Sequence, residues 1–141
     1  MAEEEGQLLL EFSIPARSDQ LGEMRAAVRG CVEASGCSDL PTGDIVLAID
    51  EACQNIIRHA YKGDPDGVIE LEIRRIGAEL VFYLCDHAPP VDPRKVKPRD
   101  LDDVRPGGLG THFIKEVMDR ADFLPRPGGG GNLLKMVRRI E

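Results

Sequence analysis

The chain has 141 residues and a formal net charge of −7, with 42% hydrophobic and 30% charged residues. This length and composition are typical of a soluble globular protein, and we expect residues 1–141 to form a single domain. The acidic balance and the scarcity of aromatic residues (two Tyr, four Phe and no Trp) argue against a nucleic-acid surface and favour a protein or small-molecule partner.

The first half of the chain predicts a strand followed by two helices. Residues 7–14 alternate apolar and polar side chains and stop at Pro15, which is a strand pattern ended by a breaker. Apolar residues at three- and four-residue intervals predict a helix over 19–34. A second helical pattern opens at Pro41 and runs to about Tyr61, where the turn-forming sequence KGDPDG begins.

The second half opens with an expected hairpin and a long loop. Residues 68–73 and 79–85 alternate and are separated by a short turn, which predicts two antiparallel strands. Residues 88–106 hold five prolines and nine charges, so no helical or strand period survives there. A connection of this length is uncommon unless it serves a function, and a lid over a site is our interpretation.

A glycine-rich segment and a terminal hairpin complete the chain. Residues 107–110 (GGLG) predict a loop that leads into a helix over 111–119, and residues 121–124 and 133–140 predict two strands joined by a turn. The order of elements predicts an α+β fold, a two-layer sandwich with helices on one face of a mixed, mainly antiparallel sheet.

The N-terminus and the cysteines bear on location and chemistry. The opening residues, MAEEEGQ, lack the basic region and apolar core of a secretory signal, and no apolar run reaches the roughly 20 residues of a membrane span. A cytoplasmic protein without membrane contact is expected. The four cysteines form no CxxC pair, so buried free thiols are favoured over zinc ligands or disulfides. They are Cys31, Cys37, Cys53 and Cys85.

The second helix carries a narrow polar stripe opposite a broad apolar face. With about 100° of rotation per residue, Asp44, Asn55 and Arg58 all fall within about 40° of Glu51. The ordinary interpretation is the solvated back of an amphipathic helix. The stripe gains meaning only from three features farther along the chain: an acidic residue that ends an apolar strand, a charged loop, and glycines before a helix.

Four segments in this order resemble a known superfamily. They are DEACQNIIRHAY, VFYLCDHAPPVDP, RPGGLGTHFIKEVMD and GGGGNLLKMVRRI. They resemble the N-box, G1 region, G2 region and closing strand of the GHKL ATPases, and in particular the short anti-sigma-factor serine/threonine kinases of the RsbW and SpoIIAB type. The resemblance covers nearly the whole chain and implies the Bergerat ATP-binding sandwich.

The resemblance assigns expected roles to single residues. Asn55 would give its side-chain carbonyl to Mg²⁺, which prefers hard oxygen ligands, and Glu51 one turn earlier would be the general base. Asp86 would accept a hydrogen bond from the adenine amino group. The further residues expected to bind ATP are Ala88, Gly107, Gly108, Leu109, Gly110 and Thr111.

Some residues depart from the pattern or have simpler explanations. The family has glycines two and four residues after the Asp, where this chain has Ala88 and Pro90, which puts nucleotide affinity in question. Asp44 and Arg58 could contact phosphate or a protein substrate, but an intrahelical ion pair or plain solvation is the expected account of both. Packing at the helix end is the expected account of His59 and Tyr61. The later glycines at 128–131 precede a strand pattern and indicate a hairpin turn.

The resemblance implies an ATP-dependent protein serine/threonine kinase that is also an anti-sigma factor. Its partners would be a sigma factor and a STAS-domain anti-sigma factor antagonist, and it would form a homodimer. Two alternatives stay open. One is a regulatory module that binds nucleotide without transferring phosphate, and the other is a purely structural α+β interaction domain.

Overall fold

A five-stranded antiparallel sheet forms one layer of the described part of the protein. The computed structural model describes residues 6–64, 66–88, 106–125 and 130–140. The strands are β1 (Gln7–Pro15), β2 (Val68–Ile76), β3 (Glu79–Asp86), β4 (Arg120–Pro125) and β5 (Asn132–Arg139). Their order is β1-β2-β3-β5-β4, and each neighbouring pair is antiparallel. The α+β class and both predicted hairpins are therefore confirmed.

Helices form the second layer. A short 3-10 turn, Ser18–Gln20, leads into α1 (Leu21–Ala34), and α2 (Asp39–Asn55) continues into a π-helical segment, Ile56–Ala60. The next helix is α3 (Pro106–Val117). Within the described ranges, no helix is both long enough and apolar enough to span a membrane.

The core lies between the two layers. Alternate residues of the central strands pair in register as apolar rows, such as Leu71 opposite Leu84 and Phe82 opposite Met136. The helices add fully buried side chains to this cluster, including Met24, Val28, Ile45 and Ile49. Each such side chain contributes about 1.5–3 kcal/mol by leaving water. Because the side chains of a strand alternate, Asp86 continues the row of Phe82 and Leu84 that faces the helices.

Helix α2 begins before its predicted start. It starts at Asp39 instead of Pro41, and Pro41 falls in the first turn. A proline is tolerated there because the first N–H groups of a helix have no intrahelical partner. The helix continues to Ala60, as predicted, but its last five residues are π-helical instead of α-helical.

Helix α3 also differs from its predicted form. It begins at Pro106, so Gly107–Gly110 lie inside the helix, and the expected loop before Thr111 is wrong. Proline is favoured at the first helical position because its φ is already suitable. Each glycine costs about 1 kcal/mol in a helix, and burial of side chains farther along offsets that cost. The buried residues are Ile114 and Val117.

Two predicted loops lie partly outside the described residues. Of the predicted lid, 88–106, residues 89–105 are outside them, as are 126–129 of the terminal turn. The hairpin itself is defined by its strands, because Pro125 pairs with Asn132. The turn between β2 and β3 is described, and its two residues include Gly77 with a φ of 62°, which favours glycine.

Candidate functional site

Helix α2 is fixed on the protein by its buried side. Ile49, Ala52 and Cys53 are buried in the core, and Asp50 accepts a 2.8 Å hydrogen bond from the Arg25 guanidinium of α1. These contacts hold the helix on two sides and leave the polar stripe partly exposed. Glu51 is therefore part of the partly exposed stripe, on a helix that is fixed by contacts on two sides.

One carboxylate oxygen of Glu51 is buried without a hydrogen bond. Among the described residues, no donor reaches its Oε2 atom, although the side chain as a whole is 35% exposed. The Arg58 guanidinium is close, but its Nη2 lies 3.9 Å away, beyond hydrogen-bonding distance. A buried polar atom without a partner is unfavourable, so it points to a group that completes the site.

Asn55 is next to Glu51 on the same face, one turn later. Its side-chain carbonyl accepts a long hydrogen bond of 3.4 Å from Nη2 of Arg58. The guanidinium thus lies between the two residues that the resemblance assigns to base and metal. The expected intrahelical ion pair of Arg58 is confirmed, and in this structure it contacts the Asn55 carbonyl as well.

The helix changes its winding immediately after Asn55. Over Ile56–Ala60 it is π-helical, and the Tyr61 N–H donates to the Ile56 carbonyl at 2.9 Å, five residues back. Such wide turns are rare and are found often at functional sites. The apolar periodicity gives no sign of it, because one five-residue turn is too short to shift a pattern detectably.

Asp86 forms a second polar centre at the end of β3. It is only 3% exposed, and its Oδ1 accepts hydrogen bonds of 3.0 Å from the Ala88 N–H and from Nδ2 of Asn132. Asn132 lies opposite Asp86 in the β3–β5 register. Local sequence patterns gave Asn132 no role, because only the strand pairing brings together two residues 46 positions apart.

Tyr61 connects the helix end to the Asp86 centre. Its hydroxyl donates to the Val68 carbonyl at 2.8 Å and accepts from the His87 N–H at 2.7 Å. The expected packing role is thus incomplete for Tyr61, which is hydrogen-bonded to two backbone groups. For His59 it is wrong, because this residue is exposed.

The predicted phosphate-binding residues lie on α3, which packs against α2. Gly107, Gly108, Leu109, Gly110 and Thr111 are all helical, and the first two are in the first turn. The N–H groups of a first helical turn have no partner within the helix, and the helix dipole favours an anion there. A helix in place of the expected loop therefore still leaves backbone donors at Gly107 and Gly108.

The four cysteines are free. Only Cys53 is fully buried, whereas the other three are partly buried, so the predicted burial holds for one thiol of four. Burial raises the pKa of Cys53 to about 12, with a further contribution from nearby Asp50. Its thiol therefore stays neutral and unreactive, although it lies in the helix between Glu51 and Asn55.

A magnesium ion fits the described residues only as part of a metal–nucleotide complex with few protein ligands. No three His, Cys, Asp or Glu side chains cluster for metal binding in the part of the chain that the structure describes. Mg²⁺ bound with a nucleotide needs few protein ligands, since water and phosphate oxygens supply the rest. The Asn55 carbonyl, which accepts only a long hydrogen bond of 3.4 Å, fits such a site.

Comparison with known proteins agrees with this arrangement. The profile of the histidine kinase-like ATPase domain matches residues 14–138. The serine-protein kinase RsbW of Halalkalibacterium halodurans is 27% identical over 140 residues, which cover 94% of this chain and 85% of that protein. The serine-protein kinase RsbW of Bacillus pumilus is 28% identical over 142 residues, covering 93% and 87%.

A solved structure supports the fold. A chain in the crystal structure of the SiaB-SiaC complex from Pseudomonas aeruginosa superposes with a TM-score of 0.65 at 18% identity. The superposition covers 97% of this chain and 92% of that one. The profile match extends over most of the sequence and includes the helix and strand that carry Glu51, Asn55 and Asp86. The chain belongs to the histidine kinase-like ATPase domain family.

Proposed function

We propose that this chain is a cytoplasmic, ATP-dependent protein serine/threonine kinase that also acts as an anti-sigma factor. It binds a sigma factor and phosphorylates a STAS-domain antagonist on a serine or threonine. Similarity to the serine-protein kinases RsbW over 94% of the chain supports the reaction class. The observation that carries the proposal is the buried Glu51 oxygen, one helical turn from the Asn55 carbonyl, that accepts no hydrogen bond from the described residues.

Glu51 and Asn55 serve the transfer step. Glu51 accepts the proton of the attacking hydroxyl, and its buried oxygen is available for this because no described donor occupies it. Asn55 would hold the metal ion, and the helix that it shares with Glu51 fixes the separation of the base and the metal ligand. Bound ATP with Mg²⁺ would supply the phosphoryl group and the neutralising charge. Phosphoryl transfer depends mostly on such positioning and charge stabilisation.

Asp86 and α3 hold the two ends of the nucleotide. The Asp86 carboxylate accepts from the adenine amino group, and its existing bonds to Ala88 and Asn132 fix its orientation. Ala88 is buried and accommodated where the family has glycine, so the backbone turn forms without that glycine. The N–H groups at Gly107 and Gly108 bind phosphate, with Leu109, Gly110 and Thr111 completing that end. Residues 88–106 form the lid.

Two measurements test this function. Saturating ATP with Mg²⁺ at ~100 times the Kd should stabilise the folded protein by about 2.7 kcal/mol, seen as a rise in melting temperature. Single-turnover transfer from labelled ATP to a STAS-domain protein should then produce a phosphoserine or phosphothreonine. A shift in melting temperature without transfer to any cognate substrate would contradict the kinase activity.

The remaining parts of the proposal concern assembly. We expect the chain to act as one domain over residues 1–141 and to form a homodimer, which light scattering of the free protein would test. Retention of a sigma factor by the immobilised chain, and its release when the antagonist is added, would test the anti-sigma role. A protein that is monomeric and retains no sigma factor would contradict this part.

The specific alternative is a nucleotide-binding regulator without transfer activity. It is favoured by the presence of Ala88 and Pro90 at the two positions where the family has glycine. In that case, nucleotide would change the melting temperature and the affinity for a partner protein, and no phosphorylated product would form.

A further inference from the structure

The hydroxyl of Tyr61 makes two hydrogen bonds that play no part in the proposed function as described above. We propose that Tyr61 is a positioning residue that sets the adenine selectivity of Asp86 from the end of the helix that carries Glu51. The inference rests on the proposed function, because it takes Asp86 as the adenine contact. It adds a residue that touches neither the nucleotide nor the reacting atoms.

The hydroxyl of Tyr61 joins three elements. It lies at the end of the π-helical segment, donates to the carbonyl of Val68 where β2 begins, and accepts from the N–H of His87 just after β3. Both bonds are short, at 2.8 and 2.7 Å. Because one hydroxyl gives its proton to Val68, its lone pair is directed to His87, and the two bonds orient each other.

The His87 backbone leads directly to the Asp86 carboxylate. His87 lies between Asp86 and Ala88, and the Ala88 N–H donates to Asp86 Oδ1 at 3.0 Å. Asn132 donates to the same oxygen from β5. Together these two donors restrain the position of Oδ1. Loss of the bond between the Tyr61 hydroxyl and the His87 N–H removes one restraint on the backbone at 87–88, and the Ala88 donor gains freedom with it.

The Tyr61 ring packs against the backbone of Gly67. A Cβ on Gly67 would come within 2.7 Å of three carbons of the ring, so the ring face lies directly on the glycine backbone. The Gly67 carbonyl also accepts from the Ala16 N–H at 2.8 Å, which ties this backbone to the end of β1. A side chain at 67 would push the ring, and hence its hydroxyl, away from Val68 and His87.

Asp86 selectivity is therefore coupled to the end of α2. The carboxylate can discriminate adenine from guanine only if it faces the amino group that guanine replaces with a carbonyl. An acceptor that can turn gives up part of that discrimination, because it finds other donors, including water, in other orientations. Tyr61 restricts this freedom because its hydroxyl donates to the Val68 carbonyl and accepts from the His87 N–H. The next N–H along the chain, that of Ala88, donates to Asp86.

The test removes one atom and measures selectivity. Tyr61→Phe keeps the ring on Gly67 and deletes only the hydroxyl. We expect the Kd for ATP to rise about 3- to 10-fold, the range of one neutral hydrogen bond, with little change for GTP, so that the ATP-to-GTP preference falls. Amide exchange at His87 and Ala88 in the nucleotide-free protein should become faster in the variant.

Two further variants complete the design. Gly67→Ala displaces the same ring without altering the tyrosine and should give the same loss of ATP preference, and it decides the question if Tyr61→Phe does not fold. Tyr83→Phe is the matched control, because Tyr83 is the only other tyrosine and lies on β3 on the opposite face from Asp86. It should leave the ATP-to-GTP preference unchanged.

The outcomes separate this inference from the proposed function. An unchanged ATP-to-GTP preference in folded Tyr61→Phe overturns the inference, and so does a fall of equal size in Tyr83→Phe. If the parent protein binds ATP selectively but transfers no phosphate, the proposed kinase activity is wrong. The ATP-to-GTP preference of the variants still decides the role of Tyr61. A parent that binds neither nucleotide overturns both.

Discussion

The Asp86 centre and the polar stripe of α2 are built in opposite ways. Asp86 is 3% exposed, and its Oδ1 accepts hydrogen bonds of 3.0 Å from the backbone just after β3 and from Asn132 on β5. Glu51 is on one helix with Asn55, its Oε2 accepts no hydrogen bond from any described residue, and its cation is 3.9 Å away. The fold thus supplies hydrogen-bond donors to Asp86, the residue proposed to bind adenine. It leaves the Oε2 atom of Glu51, at the proposed site of phosphoryl transfer, to be paired by a bound group.

The largest effect that tests this difference is expected at Glu51. Glu51→Gln preserves size and helix propensity but cannot accept a proton, so phosphorylation should slow ~10²–10⁴-fold while ATP and partner binding stay unchanged. Single-turnover transfer measured beside nucleotide affinity checks this. Glu33→Gln, on exposed α1 surface, is the control. Equal transfer rates in Glu51→Gln and the parent would remove Glu51 as the base.

Asn55 should show the next largest effect, and only when metal is present. Asn55→Ala should abolish the magnesium-dependent part of ATP affinity, by at least the roughly 10- to 100-fold that loss of an outer-shell partner costs a metal site. Calorimetry with and without Mg²⁺ measures it. Gln54→Ala removes a neighbouring carboxamide off the stripe and should change neither value. Unchanged Mg-ATP affinity in Asn55→Ala would exclude Asn55 as the ligand.

Asp86 should give a smaller loss that does not depend on metal. Asp86→Asn keeps an acceptor for Ala88 and Asn132 but loses the charge and one acceptor, so ATP should bind about 10-fold more weakly and the preference over GTP should shrink. Asp119→Asn is matched, because Asp119 also accepts from a backbone N–H, that of Arg139. Equal binding of ATP and GTP by the parent would disprove the adenine role.

The smallest effect should be at Arg58, and it should have the opposite sign. The guanidinium lies 3.4 Å from the Asn55 carbonyl, where it competes with a metal ion for that oxygen. Exposed pairs of this kind contribute only about 0–1 kcal/mol, so Arg58→Gln should tighten Mg-ATP binding by no more than about 5-fold.

Magnesium titration of the nucleotide complex measures the Arg58 effect. Arg29→Gln is the control, because Arg29 lies at the same 3.9 Å from a glutamate on α1. Weaker Mg-ATP binding in Arg58→Gln would instead mean that the guanidinium assists the phosphates. The two ends of the site would then be less different than their hydrogen bonding indicates.

The same contrast explains what the sequence could reveal. The stripe of α2 is local, so a period of about 3.6 residues was enough to place Glu51 and Asn55 on one face. The Asp86 centre depends on strand register and on a hydroxyl from another element, so Asn132 and Tyr61 received no role in it from local pattern. The glycines predicted a loop where α3 begins. This prediction failed because packing farther along the helix outweighed their low helix propensity.

The π-helical segment has a consequence for how this chain can change length. Winding Ile56–Ala60 as ordinary α-helix would advance Tyr61 by about one residue of rotation, roughly 100°, and turn it away from Val68 and His87. Losing one residue from the segment while it reverts to α winding would keep the tyrosine in phase. An insertion or deletion in this segment is therefore tolerated only when the winding of the helix changes with it. The segment thus keeps Tyr61 in phase between the Glu51 and Asn55 pair and the Asp86 centre.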